Sequence, residues 1–209
     1  MSTAVQPRTG ADQTDIPGIV RASVKLGIIE SIFVLGIGLG SIYLEGTLET
    51  AVLGALLLLG VLTVTLLPGV WTRAETIEGI AGAAGIGLAA AWIFLLVDVA
   101  LFQPFGLYTE RWRAIGGGSN WWYHPVWWMV GTFLAWLGAW QLANQAARGQ
   151  HPNPLAVAAS SLAFTAVCGV AAVILHFPGA GWNLGTFGVA FLPGLALATL
   201  VSVLGARGK

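Results

Sequence analysis

The stretch IEGIAGAAGIGLAAAWIFLLVDVALFQ at residues 77–103 carries no charged residue between Glu78 and Asp98. A bilayer core about 30 Å thick is crossed by about 20 helical residues, so this stretch predicts a transmembrane helix. The composition of the whole chain agrees, because 56% of its 209 residues are hydrophobic and only 9% are charged. A soluble domain has about 25% charged residues, so this chain needs lipid around it.

Six apolar stretches are long enough to cross a bilayer, and glycine- or proline-containing turns separate them. The predicted helices are residues 21–43, 50–67, 77–103, 125–144, 155–176 and 183–204. This pattern predicts an all-α fold, a six-helix polytopic membrane bundle. We expect one membrane domain at residues 16–209, preceded by a disordered cytoplasmic tail at residues 1–15.

The distribution of Lys and Arg predicts the orientation, since cytoplasmic loops carry an excess of these residues. With six spans, one side holds seven of them: Arg8, Arg21, Lys25, Arg73, Arg148, Arg207 and Lys209. The other side holds two, Arg111 and Arg113. The bias predicts that both termini are cytoplasmic in a cell (plasma or inner) membrane. The net charge is zero and no basic patch suggests nucleic acid.

The predicted external loop at residues 104–124 is the longest connection in the chain, and long loops in compact proteins are more often functional. Its aromatic and basic residues continue into the next helix: Arg111, Arg113, Trp121, Trp122, His124, Trp127 and Trp128. Interfacial anchoring explains one or two tryptophans at a helix end. The cluster is therefore either an anchor or an aromatic platform for a partner or a planar ligand, such as a haem or a quinone.

Three further side chains are predicted at the same outer membrane depth. His124 begins the fourth predicted helix, His176 ends the fifth, and Asp98 lies about 20 residues into the third. Two imidazoles suit axial haem ligation or, together with Asp98, a metal site. The alternative is structural, with Asp98 forming an ion pair with Arg111 or Arg113.

Glu30 lies deeper, about 8 to 10 residues into the first predicted helix, where an ionisable residue is a functional candidate by default. It lies beside a stripe of small and polar residues that we expect to face the bundle interior: Gly27, Ser31, Val34, Gly38 and Ser41. Glu30, Ser31 and Ser41 would line the path of a small transporter. Alternatively, Glu30 pairs with Lys25 or is protonated and hydrogen-bonded.

Small residues recur at helix-packing spacing, as in Gly36 and Gly40 and in a glycine-rich stretch at residues 79–87. Such residues let helices approach closely in lipid, which favours ordinary packing within the bundle. Self-association through these glycines is the alternative. The single cysteine, Cys168, forms no intramolecular disulfide, so cysteine usage does not reveal the redox compartment.

The stretch from Gly116 to Trp128 resembles, in layout, the Trp-rich external loop of haem-handling membrane proteins of cytochrome c maturation. In six-helix members of that family the loop also joins helices three and four, and His176 falls where a second external histidine would. The resemblance implies haem at the outer face. The chain departs from the family pattern, since it lacks the Trp-Asp pair and residues 45–49 contain no histidine.

No nucleophile-elbow, zinc-protease, Walker or dinucleotide motif is present, and the GIGLG of residues 36–40 lies inside an apolar helix. An enzymatic role is therefore the less favoured expectation. We expect a non-catalytic membrane subunit, an accessory or anchor of a larger complex that functions in electron transfer. Its partners would be the lipid bilayer and other membrane subunits. A small-molecule or ion transporter is the alternative.

Overall fold

The computed structural model describes residues 12–109 and 123–206, and all regular secondary structure within these ranges is helical. A π-helical turn, Asp98–Phe102, continues the third helix. The long helices are α1 (Ile16–Tyr43), α2 (Gly46–Trp71), α3 (Ile77–Val97), α4 (Tyr123–Ala147), α5 (Pro154–Ile174) and α6 (Leu184–Ala206). The all-α prediction is confirmed.

Five of these helices are long and apolar enough to cross a membrane: α1, α2, α3 with its π-helical turn, α5 and α6. Helix α4 is not in that group, although its 25 residues would reach about 37 Å. Its tryptophans and its amides, such as Gln141 and Asn144, lower its hydropathy. Helix α4 packs between α2, α3 and α6, and Gln141 is buried there.

The outer surface of the bundle is apolar, as lipid requires. Large hydrophobic side chains stay exposed along the helices, among them Ile32 at 62%, Leu96 at 67% and Val189 at 71%. A soluble protein rarely exposes contiguous apolar surface of this extent. This surface agrees with the spans identified by length and composition.

The helix ends differ from the sequence-based bounds for local reasons. Helix α1 begins at Ile16 because Asp15 caps it, accepting a hydrogen bond from the Gly18 amide at 2.9 Å. Helix α2 continues through Pro68 to Trp71, beyond the predicted end at residue 67. A proline removes only one backbone donor, and packing of the surrounding turn can compensate for that loss in a bundle.

We call the end of the bundle that holds residues 12–15 the proximal end and the opposite one the distal end. At the proximal end, the Asp12 carboxylate caps α3 and accepts hydrogen bonds from the Glu75, Thr76 and Gly79 amides and from the Thr76 hydroxyl. Residues 12–15 of the predicted tail are thus joined to the connection between α2 and α3. Residues 1–11 lie outside the described residues.

Close helix crossings position α4. Ideal Cβ atoms at Gly87 of α3 and Gly131 of α4 would lie 2.4 and 3.0 Å from each other's carbonyl oxygens. An ideal Cβ at Gly138 would lie 1.8 Å from the Thr65 carbonyl oxygen of α2. Only glycine fits at such contacts, so small residues bring α4 against two neighbours.

The glycine pair of α1 also packs within the chain. Ideal Cβ atoms at Gly36 and Gly40 would lie 3.2 and 2.8 Å from the side chains of Leu56 and Leu53 in α2. This bears out ordinary bundle packing at these two positions. Self-association through other glycines stays a prediction.

Candidate functional site

A partly open cavity of about 110 Å³ lies between α1, α2, α3 and α4. Its wall is almost wholly apolar, with the aromatic rings of Phe33, Phe94 and Trp127 around it. Gly60 and Gly131 also line it, and the missing side chain of Gly60 leaves room, whereas Gly131 packs against Gly87 of α3. We call this space the Glu30 cavity, because Glu30 is the ionisable residue among the described residues that line it.

Glu30 is half-buried in the middle of α1. Within the described residues its carboxylate has neither a hydrogen-bond nor an ion-pair partner. Lys25, which sequence suggested as a partner, lines a different pocket at the proximal end. A half-buried carboxyl group without a partner is costly to keep, so a bound ligand could stabilise it through a hydrogen bond.

The aromatic cluster of α4 divides between two environments. Trp127 faces the Glu30 cavity and contacts Phe94 edge to face, with ring centroids 5.4 Å apart. Trp128 packs beside Trp92 at 5.4 Å and joins the distal apolar cluster around Leu107. The structure therefore brings Trp127 and Glu30, which sequence analysis assigned to separate hypotheses, to one cavity.

Two buried nitrogen atoms near the start of α4 have no hydrogen-bond partner within the described residues. They are Nε2 of His124 and Nε1 of Trp128. Buried polar groups are normally paired, so each of these atoms is available to a further group. Trp121, Trp122, Arg111 and Arg113 lie outside the described residues.

Asp98 is buried, only 4% exposed, and begins the π-helical turn. Its Oδ2 accepts a hydrogen bond from Gln103 Nε2 at 2.7 Å, and its Oδ1 accepts one from the Tyr108 hydroxyl. Burial, this hydrogen bond and the negative charge of Asp98 all raise the pKa of Tyr108, so the phenol stays protonated and donates. These two neutral side chains are the described partners of the carboxylate.

His176 follows α5 at the distal end, where its side chain is exposed and its backbone has a φ of 53°. Among the described residues, no three His, Cys, Asp or Glu side chains form a group that could hold a metal ion. Asp98, His124 and His176 are therefore not brought together as a set. Haem ligation by the two histidines stays a prediction.

The polar stripe of α1 faces inward as predicted, since Gly27, Ser31, Val34, Gly38 and Ser41 are all buried. Their hydroxyls are used within the helix. Ser31 donates to the Gly27 carbonyl at 2.8 Å, and Ser41 donates to the Gly38 carbonyl at 2.7 Å. Gly27 packs closely on Ile93 of α3, and Val34 lines the Glu30 cavity, whereas Ser31 and Ser41 are not among its lining residues.

No family model, curated protein or solved structure matches this chain. The likeness of residues 116–128 to the loop of haem-handling membrane proteins stays a prediction, since most of that loop lies outside the described residues.

A set of hydrogen bonds that we did not predict from the sequence joins the proximal halves of α4, α5 and α6. Gln141 Nε2 donates to Thr199 Oγ1 at 3.1 Å, and Gln141 Oε1 accepts from the Ser160 hydroxyl at 3.2 Å. Asn144 donates to the Ser202 hydroxyl at 2.7 Å. Arg148 donates to the Ser202 carbonyl at 3.1 Å, which completes what we call the polar interface.

The signal for the polar interface was present in the sequence. Gln141, Asn144 and Arg148 recur at spacings of three and four, which places them on one helix face. Thr199 and Ser202 repeat the first spacing in α6. Two matching polar stripes in apolar helices indicate that the helices pair along those stripes.

Proposed function

We propose that this chain is a non-catalytic subunit of a larger membrane complex that binds a hydrophobic ring-bearing ligand of the quinone class in the Glu30 cavity. The observation that carries the proposal is the cavity itself, with its apolar wall, its aromatic rings and one unpaired carboxyl group. Ligand sites of this kind combine an apolar lining with a few polar groups that fix orientation.

The size of the cavity supports a single ring rather than a haem. An apolar cavity of roughly 150 Å³ inside a protein holds benzene, and the Glu30 cavity, at about 110 Å³, is smaller but partly open, so a single ring would extend into its opening. No histidine is among its described lining residues. The rings of Phe94 and Trp127 would contact the ligand ring, while the protonated carboxyl group of Glu30 would donate a hydrogen bond to one ring carbonyl oxygen.

The proposal includes six spans with both termini in the cytoplasm. Helix α4 would be the sixth span, because it is long enough and its polar residues face other helices. Both unpaired nitrogen atoms on its first turns, in His124 and Trp128, lie at the distal end. In this topology that end is the outer face.

Binding is tested with the purified full chain in detergent, titrated with a short-chain ubiquinone analogue while tryptophan fluorescence is recorded. Gly60→Leu should abolish the quenching, because its side chain would fill the cavity with only ordinary contact to Phe33. Gly85→Leu is the matched control, because no atom lies within 4 Å of an ideal Cβ there. Glu30→Leu should weaken binding about tenfold by removing the hydrogen bond, whereas Glu30→Gln, whose amide can donate to the same oxygen, should keep most of it.

Equal binding of the quinone analogue by the wild-type protein and by Gly60→Leu would overturn the proposal.

The transporter alternative has a separate readout in proteoliposomes. Solute uptake that is lost in Glu30→Gln, in a protein that binds no quinone analogue, would favour transport. Mass spectrometry of lipids and proteins that copurify with the chain tests the subunit role.

A further inference from the structure

A second pocket, of about 230 Å³, opens at the proximal end between α1, the end of α2 and α3. Polar side chains line it near the start of α1, including Asp15, Arg21 and Lys25. Trp71 and Ile86 contribute apolar surface. The pocket therefore has a charged part beside an apolar part, unlike the Glu30 cavity.

The two cations of this pocket lie at the depth of the lipid headgroups. Helix α1 has 28 residues and is about 42 Å long, more than the roughly 30 Å of a hydrocarbon core. Tyr43 ends it at the distal end, exposed and suited to an interface. About 20 residues counted back from Tyr43 reach the position next to Lys25, which leaves Arg21 one turn further out.

These cations have no neutralising partner in the described part of the chain. Within the described residues, neither Arg21 nor Lys25 has an ion-pair or hydrogen-bond partner. The nearby Asp15 carboxylate accepts the amide hydrogen of Gly18 and so acts as the cap of α1. Because Arg21 and Lys25 are four residues apart, their side chains lie on the same helix face and can approach one anion together.

We propose that this pocket binds the phosphate group of an anionic phospholipid. Arg21 and Lys25 would contact the phosphate, and Trp71 would lie beside the glycerol region at the membrane interface. The acyl chains would then follow the exposed apolar side chains of α1, such as Val24 and Ile28. This site is independent of the Glu30 cavity and of the ligand proposed there.

The first test uses the unmodified full chain in vesicles of phosphatidylcholine with a fraction of phosphatidylglycerol of the same acyl chains. Lipid retained after detergent extraction is counted by native mass spectrometry. We expect enrichment of phosphatidylglycerol by about 25-fold, since each cation near the headgroups contributes about fivefold. Equal retention of the two lipids would overturn the proposal.

The second test replaces both cations with Gln, in Arg21→Gln with Lys25→Gln. The enrichment should disappear, whereas the charge-conserving pair Arg21→Lys and Lys25→Arg should keep most of it. Arg73→Gln is the matched control, since Arg73 is exposed at the same end but is not among the lining residues of the pocket. Equal losses in the control and in the double variant would mean that surface charge alone selects the lipid, against the proposal.

Competition distinguishes a lipid site from a site for free phosphate. Inorganic phosphate added at millimolar concentration should not displace the retained phosphatidylglycerol, because the apolar part of the pocket holds only the lipid. Displacement by inorganic phosphate at that concentration would overturn the lipid assignment. The charge-conserving pair keeps the test valid if the Gln pair fails to fold.

Discussion

The Glu30 cavity and the polar interface lie in one bundle and treat polar groups in opposite ways. At the polar interface the Gln141 amide is 3% exposed, and both its nitrogen and its oxygen are hydrogen-bonded. In the cavity the Glu30 carboxylate has no partner within the described residues, and the surrounding wall is apolar.

The difference separates a structural polar group from one that is available to a ligand. A paired amide between helices stabilises the bundle by a modest amount, about 0.6 kcal/mol on average for such bonds in membranes. An unpaired carboxyl group contributes nothing comparable to the folded state and costs desolvation. Burial alone therefore does not mark a polar group as available to a ligand, because a buried group with a partner is already satisfied.

The largest effect is expected from a change that displaces α4, because this helix contributes to both regions. Gly138→Val would place side-chain atoms against the Thr65 carbonyl, where even a Cβ would lie at 1.8 Å. We expect the free energy of unfolding to fall by about 3 kcal/mol or more. Reversible unfolding in mixed micelles, followed by tryptophan fluorescence, measures the loss.

Gly85→Val is the control for this change, because it adds the same side chain to α3 where no neighbour lies within 4 Å. It should change the unfolding free energy by less than about 1 kcal/mol. Similar losses in the two variants would show that helix propensity, not the crossing of α2 and α4, accounts for the effect.

The contrast between the two regions is tested directly by one type of substitution at each. Gln141→Leu should lower the free energy of unfolding by about 1 kcal/mol, because it removes the hydrogen bonds to Thr199 and Ser160. Glu30→Leu should leave that free energy unchanged or raise it, since it replaces an unpaired carboxyl group in apolar surroundings. The same unfolding assay compares both.

Equal destabilisation by the two leucine variants would remove the contrast and with it the reason to regard Glu30 as available to a ligand. Glu30→Gln provides a further comparison, because it keeps the shape of the side chain. Its unfolding free energy should stay close to that of the wild-type protein.

The smallest effect on stability is expected from changes at Asp12, whose carboxylate at the proximal end is fully hydrogen-bonded. Partial burial acts to raise its pKa, but hydrogen bonds from the Thr76 hydroxyl and from the Glu75, Gly79 and Thr76 amides outweigh burial and lower it. Because the pKa is lowered in the folded state, the ionised carboxylate stabilises the fold at pH values above the ordinary pKa of about 3.9. This contribution is lost as the pH falls through the pKa of the folded state.

The stability advantage of the wild-type protein over Asp12→Asn should therefore be constant near neutral pH and shrink below about pH 4. Thermal unfolding from pH 7 to pH 3 measures it. Thr76→Val, which removes the hydroxyl donor, should reduce the pH dependence. A stability advantage over Asp12→Asn that is independent of pH would contradict the lowered pKa of Asp12.

Much of the fold was predictable from hydrophobicity, because lipid requires long apolar helices and the intervals between them contain turn residues. All six predicted segments correspond to helices. The α1 stripe of Gly27, Ser31, Val34, Gly38 and Ser41 was also predicted correctly to face inward. The ends were less predictable, since Pro68 lies inside α2 and the α1 cap at Asp15 depends on local geometry.

The candidate site was predictable residue by residue but not as an arrangement. Glu30 and Trp127 were each singled out, yet their sequence positions lie far apart and no periodicity relates α1 to α4. Only the packing of four helices brings them to one cavity. The partners of Asp98 were missed because the π-helical turn re-aims the chain so that Gln103 and Tyr108 reach the carboxylate.

The parallel pairing of α4 and α6 has a consequence for biosynthesis. Gln141 meets Thr199 and Asn144 meets Ser202, each 58 residues later in the chain. Until the ribosome has delivered α6 to the membrane, these two amides lack their later partners, and a nascent chain exposes them. Their exposure would mark an unfinished bundle, so the insertion of α6 also removes a feature by which quality-control proteases recognise incompletely assembled helices.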